Sequence, residues 1–416
     1  LGSESFAEQA SAHLTEYLRA IAREPTVIFL EDLHWADDSS LDLLDNQVAA
    51  VPDTRLLVVC LARPSLYERR PSSGEGQAHS RINLRPLSRR ASRILVGEIL
   101  QKTGGVPHEL RDFVVEGANG NPFYVEELIK MLIEDGAIVV GERSEDHWRV
   151  ELHRLAEMRV PPTLIGILQA RLDSLPQGEK LVLQRASVVG RLFWGAVVAE
   201  LASDKAEAAQ TDRLLDNIRN RELIFRQERS LFEATDEYIF NHALLQDVTY
   251  ETVLLKLRRA YHAQVAQWLE RTAGERISEY LSLVARHYEL AGETAKAVDY
   301  LRRLGEESHQ IGAFRDAVRS FERALALLSA LGRDGVQEAP TAPLDADLAE
   351  RAMLLVNLGN AHNRVGDHLS AIRHLEQGLA LARQANNPQA EIAALNSLAM
   401  VASEQGTYDT AQRYLD

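Results

Sequence analysis

The first eighty residues alternate between helical and strand-like hydrophobic patterns. Apolar residues recur every three or four positions up to Ile21, which predicts an amphipathic helix that ends before Pro25. Two short apolar runs follow, at residues 27–30 and 56–61, with a helical pattern between them. Continuous runs of this length are typical of central parallel strands that are covered on both faces. The order strand, helix, strand therefore predicts part of an α/β domain.

The middle of the chain is predominantly helical in pattern. The run Gly120, Asn121, Pro122 interrupts it, and Pro122 is well placed as the first residue of a new helix. Beyond residue 160 the pattern predicts three short helices, a β-hairpin at residues 223–226 and 237–240, and a long final helix. This order is typical of a winged-helix domain.

The last third of the sequence repeats a pattern of small and aromatic residues. The repeated positions are Gly305, Gly312, Ala317, Phe321 and Ala324, then Gly359, Gly366, Ala371, Leu375 and Gly378, then Ala399, Gly406, Ala411 and Tyr414. These spacings resemble the tetratricopeptide (TPR) unit, although Gly366 and Gly406 lie 40 residues apart and the standard unit has about 34. Small residues are needed where the two helices of a unit cross closely. The pattern predicts an α-solenoid of long TPR-like repeats.

Composition excludes several classes of function. A formal net charge of −15 argues against a long phosphate-binding surface, so direct binding of nucleic acid is not expected. Cys60 is the single cysteine, which rules out an intrachain disulfide, and its apolar surroundings predict a buried side chain. No apolar stretch approaches the roughly 20 residues that span a bilayer. We expect a cytoplasmic protein without a membrane segment.

Two acidic residues, Glu31 and Asp32, come directly after the first apolar run. In nucleotide hydrolysis one carboxylate at such a position reaches the Mg²⁺ shell and its neighbour orients the attacking water. Taken alone, an acidic pair after a strand is more often merely solvated or a helix cap. The interpretation as a catalytic and Mg²⁺-binding pair therefore depends on the surrounding motifs.

Three motifs occur in the order of a known family. Residues 30–37 read Leu-Glu-Asp-Leu-His-Trp-Ala-Asp, residues 56–64 form an apolar run that ends in Ala-Arg-Pro, and residues 120–128 read Gly-Asn-Pro-Phe-Tyr-Val-Glu-Glu-Leu. The sequence resembles the bacterial branch of the signal-transduction ATPases with numerous domains, which are AAA+-related regulators with a TPR sensor. The resemblance covers nearly the whole chain.

The resemblance implies roles for seven residues. Glu31 and Asp32 would be the catalytic, Mg²⁺-binding acids of the Walker B motif, although Glu31 stands where Asp is more usual. Arg63 would be the sensor residue after the next strand; a surface or capping arginine is the alternative. The nucleotide-binding residues would further include Gly120, Asn121 and Pro122 beside the adenine, and His242 at the diphosphate. Asn121 is equally suited to an ordinary helix N-cap, and His242 to a structural role.

Pattern and resemblance together predict a mainly α protein with four regions. Residues 1–84 would be the C-terminal half of a P-loop NTPase-like α/β core, and residues 85–159 a helical lid with the Gly-Asn-Pro motif. Residues 160–272 would be winged-helix-like, and residues 273–416 an incomplete TPR-like array. The Gly-x-x-x-x-Gly-Lys-Ser/Thr loop that holds phosphates is missing from the sequence. Because the family has this loop upstream of the Walker B strand, we expect a fragment that by itself binds ATP weakly or not at all.

The function expected from these features is a regulatory ATPase switch that uses ATP or ADP and Mg²⁺. Its TPR array would sense a protein or small-molecule ligand and control a fused effector. The resemblance favours an adenylate or guanylate cyclase as this effector. A nucleotide-dependent oligomer is a further expectation. One alternative is a nucleotide-free TPR scaffold for protein–protein interaction. The other is a helix-turn-helix transcriptional regulator, which the absence of a continuous basic recognition helix disfavours.

Overall fold

The structure is mostly helical, with little sheet and with helical repeats at the C-terminal end. It is a computed structural model that describes residues 3–71, 79–103, 105–141, 147–157, 163–232, 235–331 and 344–416. The boundary predicted between residues 159 and 160 lies outside these ranges. The predicted domain limits remain predictions.

The N-terminal segment has the predicted order of helix and strand. Its elements are α1 (Ser3–Ile21), β1 (Thr26–Leu30), a 3-10 helix (Leu33–Trp35), α2 (Asp38–Ala50), β2 (Leu56–Cys60) and α3 (Ser65–Arg69). The two strands are parallel and in register, with Thr26 opposite Leu56 and Leu30 opposite Cys60. Helix α2 begins after Asp37, whose carboxylate accepts a hydrogen bond from the Ser40 amide at 2.6 Å.

The prediction that both strands are buried on two faces is wrong. Val27 and Phe29 are 51% and 67% exposed, Leu57 is 58% exposed, and Cys60 is exposed as well. The alternate positions of β1, such as Ile28, are half-buried. Within the described residues the sheet has two strands. Successive side chains of a strand point to opposite faces, so the alternation of exposed and half-buried residues in β1 shows that other residues cover one face of the sheet and leave the second face exposed.

The middle of the chain contains eleven described helices and five described short strands. These are α4 (Arg89–Ile99), α5 (His108–Ala118), α6 (Pro122–Glu134), β3 (Ile138–Val139), β4 (Arg149–Val150), α7 (Leu152–Glu157), α8 (Leu164–Ser174), α9 (Gln177–Val189), β5 (Leu192–Trp194), α10 (Gly195–Glu200), α11 (Lys205–Ala208), α12 (Thr211–Asn220), β6 (Ile224–Arg226), β7 (Glu237–Phe240), α13 (Ala243–Glu251) and α14 (Leu255–Ala273), with a 3-10 turn at Gln101–Thr103. A continuous apolar core joins α4, α5 and α6.

The predicted β-hairpin is confirmed as β6 and β7, which pair antiparallel with Ile224 opposite Phe240. A third strand, β5, pairs with the other edge of β7, so the sheet order is β5-β7-β6. Sequence reasoning missed β5 because three residues are too few to show a period. The winged-helix assignment of this region stays a prediction.

Each of the C-terminal helices packs against the next one along the chain. They are α15 (Leu281–Ala291), α16 (Thr294–Gln310), α17 (Phe314–Leu331), α18 (Leu344–Val365), α19 (His368–Gln384), α20 (Pro388–Glu404) and α21 (Tyr408–Leu415), after a 3-10 segment at Gly274–Tyr280. The prediction that small residues lie at close helix crossings is confirmed. A Cβ on Gly305 would lie 2.5 Å from the Phe321 ring, and a Cβ on Gly359 would lie 2.6 Å from Leu375.

The chain divides into two compact units by its internal contacts. Residues 1–81 and 269–416 form the first unit, and residues 82–268 form the second. The α/β segment therefore belongs with the C-terminal repeats, an association that the sequence did not predict. No described helix combines the length and the apolar character that a bilayer crossing requires.

We expect Gly305→Ala to lower the free energy of unfolding of the repeats by about 1 to 3 kcal/mol, because the added methyl group would overlap the buried Phe321 ring. Chemical denaturation of the parent protein and of the variant measures this difference in free energy. Gly97→Ala is the matched control, since Gly97 lies inside α4 with no atom within 4 Å of the added carbon. That change should be neutral or stabilise by up to about 1 kcal/mol. Equal effects of the two substitutions would contradict the packing argument.

Candidate functional site

In the first unit, the predicted acids lie at the carboxyl end of β1. Glu31 is exposed, and Asp32 adopts a left-handed backbone conformation with φ of 55°. Asp and Asn tolerate this conformation better than other residues with a side chain. The Leu61 amide donates to the Leu30 carbonyl at 2.8 Å, and the Leu33 amide donates to the Leu61 carbonyl at 2.9 Å. The turn that carries both acids is thus attached to the end of β2.

Arg63 lies at the same edge of the sheet, because it follows β2 and the two strands are parallel. His34 is close by. Burial lowers the pKa of His34, and the positive charges of Arg63 and Arg69 lower it further. Both ring nitrogens of His34 are buried and lack a hydrogen-bond partner among the described residues. The structure therefore brings Glu31, Asp32 and Arg63 together at one edge.

The donor set at this edge fits Mg²⁺ held jointly with phosphate. In nucleotide sites Mg²⁺ is commonly bound by one or two carboxylates, with phosphate oxygens and waters completing its shell. Glu31 and Asp32 supply two carboxylates, and Arg63 adds a positive charge nearby. Within the described ranges, no group of three or more His, Cys, Asp and Glu side chains could hold a metal ion by itself.

In the second unit, Gly120 has a structural reason to be glycine. Its φ is 80°, and the Leu87 amide donates to its carbonyl at 2.7 Å. A Cβ on Gly120 would lie 2.5 Å from the Leu87 carbonyl oxygen. Only glycine allows this approach of the two backbone segments. The motif is consequently held against residues 86–88, a segment that sequence reasoning did not connect with it.

A cleft of about 420 Å³ opens beside Gly120. Its walls combine apolar groups of Pro86, Leu87 and Val115 with the polar residues Ser92 and Asn119 and with the ion pair of Arg89 and Glu116. The Ser92 hydroxyl is buried and has no hydrogen-bond partner among the described residues. The volume falls in the range of small-molecule sites, although this lining is more polar and charged than is usual for them.

The rest of the motif starts helix α6 and leads to His242. The Asn121 side chain accepts a hydrogen bond from the Tyr124 amide at 3.3 Å, so Asn121 is the N-cap, and Pro122 is the first helical residue. The next residue, Phe123, contacts His242 with ring centroids 3.7 Å apart. The structure thus brings His242 next to the motif. Sequence reasoning missed the contact of Phe123 that joins them.

A buried ion-pair network joins α6, the helix that carries Phe123, to α8. Arg171 on α8 is 4% exposed and is paired with Glu127 on α6, which is 2% exposed. Arg171 also lies 3.0 Å from Glu134, and Lys130 lies 3.6 Å from Glu127. Burial lowers the pKa of His242, the charges of Lys130, Arg191 and Arg171 lower it further, and Glu127 opposes them. The net effect lowers the pKa of His242, with burial as the largest cause.

Two family profiles match parts of the chain. The tetratricopeptide repeat profile matches residues 350–416. The C-terminal part of the chain thus consists of TPR-like helical repeats. A domain of unknown function (DUF8739) matches residues 88–144, a stretch that includes the Gly120 motif and most of the residues that line the cleft.

The chain is also similar to two much longer curated proteins. It is 25% identical over 337 residues to an uncharacterised protein of Rhizobium meliloti, covering 80% of this chain and 31% of that protein. It is 22% identical over 330 residues to the peroxide stress-activated histidine kinase mak3 of Schizosaccharomyces pombe, covering 76% of this chain and 14% of the kinase. The chain thus spans less than a third of the length of either relative.

Among solved structures, the chain is similar to a signal-transduction ATPase with numerous domains that has a tetratricopeptide repeat sensor, from Pyrococcus horikoshii. The match covers 97% of this chain and 69% of that protein, with 12% identity and a TM-score of 0.37.

We expect the pKa of His242 in the folded protein to lie below the ordinary histidine value of 6.5, because burial disfavours the charged ring. As the pH falls below that value, the unfolded chain takes up a proton and the folded chain does not, so folding becomes less favourable in acid. An NMR titration of the ring protons measures the pKa. Phe123→Ala should raise it toward the ordinary value by admitting water; an unchanged value would contradict the role given to the Phe123 contact.

Arg171→Met should lower the free energy of unfolding of the second unit by about 3 kcal/mol, because it leaves the buried Glu127 carboxylate without its arginine. Combining it with Glu127→Gln should recover part of the loss. Arg93→Met is the matched control, because Arg93 and its partner Asp112 are exposed, and its cost should stay below about 1 kcal/mol. Similar losses in both single variants would contradict the importance of burial.

Proposed function

We propose that this chain is the regulatory ATPase segment of a signalling protein, in which the acids at the end of β1 act on a bound nucleotide and the TPR array receives the signal. The observation that carries the proposal is the parallel pairing of β1 and β2, which brings Glu31, Asp32 and Arg63 to one edge. Carboxyl ends of parallel strands are the usual position for ligand-binding residues in α/β sheets.

The roles of the residues at this edge follow from their chemistry. Glu31 and Asp32 would hold Mg²⁺, which neutralises charge on the phosphates when it is bound. Asp32 would also orient the attacking water, and its left-handed backbone turns it out of the strand. Arg63 would sense the terminal phosphate through its charge. For the second unit, the proposed roles of Gly120, Asn121 and Pro122 beside the adenine and of His242 at the diphosphate rest on the sequence resemblance.

Two further observations support a signalling role. TPR repeats are protein-interaction modules, and such a profile matches residues 350–416. One relative is named as a histidine kinase, which is a signalling enzyme. The effector that this segment would control is, on the sequence resemblance, an adenylate or guanylate cyclase.

A TPR scaffold that binds no nucleotide is the second candidate, and the repeat match favours it equally. The upstream reading frame separates the two. A phosphate-binding loop roughly 60 to 100 residues before Glu31, as α/β cores allow, supports the ATPase; its absence from the complete gene supports the scaffold.

Asp32→Asn in the full-length protein should reduce ATP turnover by roughly 10²-fold or more, because it removes the charge that orients water. Asn tolerates the left-handed backbone, so the turn itself is preserved. Asp53→Asn is the matched control, since Asp53 lies in the turn before β2, at the opposite edge of the sheet. Turnover is measured by phosphate release. Equal turnover in Asp32→Asn and the parent protein would remove the catalytic assignment.

A further inference from the structure

Two complementary charged faces meet within the first unit. Helix α2 carries Asp38 and Asp42, and helix α17 of the repeats carries Arg315 and Arg319. Residues four positions apart lie on the same face of a helix. Arg315 lies 3.1 Å from Asp42, and Arg319 is paired with Asp38. Two ion pairs thus form in register between segments that are 273 and 281 residues apart in the chain.

The same two carboxylates also pair with Arg69, the last residue of α3, and with Arg70, which follows it. Arg70 lies 2.5 Å from Asp42, and Arg69 lies 3.7 Å from Asp38. The Asp38 and Arg70 side chains are only 22% and 19% exposed. Isolated exposed pairs contribute little to stability, whereas networks of partly buried charges contribute more. Each of these two aspartates therefore pairs with one arginine of the repeats and with one arginine of the α/β segment.

The network extends to the turn that carries the acids. Arg69 donates from Nη2 to the Ala36 carbonyl at 2.6 Å, and Ala36 lies in the short connection between Asp32 and α2. The charge of Arg69 also reaches His34 in the same turn. A continuous series of contacts therefore runs from Arg319 through Asp38 and Arg69 to the acid-bearing turn.

We propose that Arg315 and Arg319 couple the TPR array to this turn. With the pairs formed, α17 holds α2 and fixes the turn after β1; movement of α17, as when the array binds its ligand, separates the pairs and frees the turn. The effect on nucleotide chemistry rests on the proposed function. The mechanical coupling does not, because it follows from the contacts within the first unit.

Hydrogen–deuterium exchange of residues 31–42, without nucleotide, tests the coupling. In the double variant Arg315→Ala, Arg319→Ala, these amides should exchange roughly two- to fivefold faster for each lost ion pair. This factor corresponds to the free energy that exposed ion pairs usually contribute. In the parent protein, raising NaCl from about 0.1 M to 1 M should produce a similar change, since salt screens exposed charges. Asp38→Ala added to Arg319→Ala should have less effect than the sum of the two single changes.

Arg323→Ala is the matched control. Arg323 lies one turn further along α17 and pairs with Glu289 inside the array, 2.6 Å away. The Arg323→Ala variant should leave amide exchange at residues 31–42 unchanged. The double variant Arg315→Lys, Arg319→Lys keeps both positive charges and should retain part of the protection from exchange. Unchanged exchange in the double alanine variant, or an equal increase in Arg323→Ala, would overturn the coupling. The exchange result is independent of the Asp32→Asn turnover test, so failure of the coupling and failure of the ATPase proposal are distinguishable.

Discussion

The parallel pairing of β1 with β2 is the constraint on which the first unit depends. It places the ends of both strands at one edge, so the turn after β1 is attached by backbone hydrogen bonds to the residue after β2. The same turn leads directly into α2, and α2 meets the repeats through Asp38 and Asp42. A slip of one residue in this register would turn the exposed face of the sheet inward and displace the acids.

The second unit is organised by a close backbone approach and a buried charge. Gly120 admits the Leu87 backbone, which orients the start of α6, and α6 then carries Phe123 and Glu127 to their partners. Arg171 neutralises Glu127 at a depth where an unpaired carboxylate is costly. The pair joins α6 to α8, and the charges of Glu127 and Arg171 both act on His242.

Local pattern predicted much of this architecture. The two strands, the hairpin, the start of α6 at Pro122 and the small residues at the repeat crossings all follow from short-range rules. Burial of the strands was predicted wrongly, because an apolar run does not reveal how many layers cover it. Partners far apart in sequence were missed: Leu87 beside Gly120, Arg171 beside Glu127, and Arg319 beside Asp38. Single-sequence periodicity has no access to such pairs.

The exposure of Cys60 gives access to the first unit by covalent labelling. It is the only cysteine in the sequence, and it lies opposite Leu30, one residue before the acids. A maleimide dye would therefore attach at one defined position beside the acid-bearing turn. Although the residue is exposed, neighbouring groups partly desolvate its thiol, and this desolvation and the charge of Asp45 raise the pKa of the thiol. The reactive thiolate therefore forms mainly in alkaline buffer. A fluorophore at this position would report local rearrangements without any engineered residue.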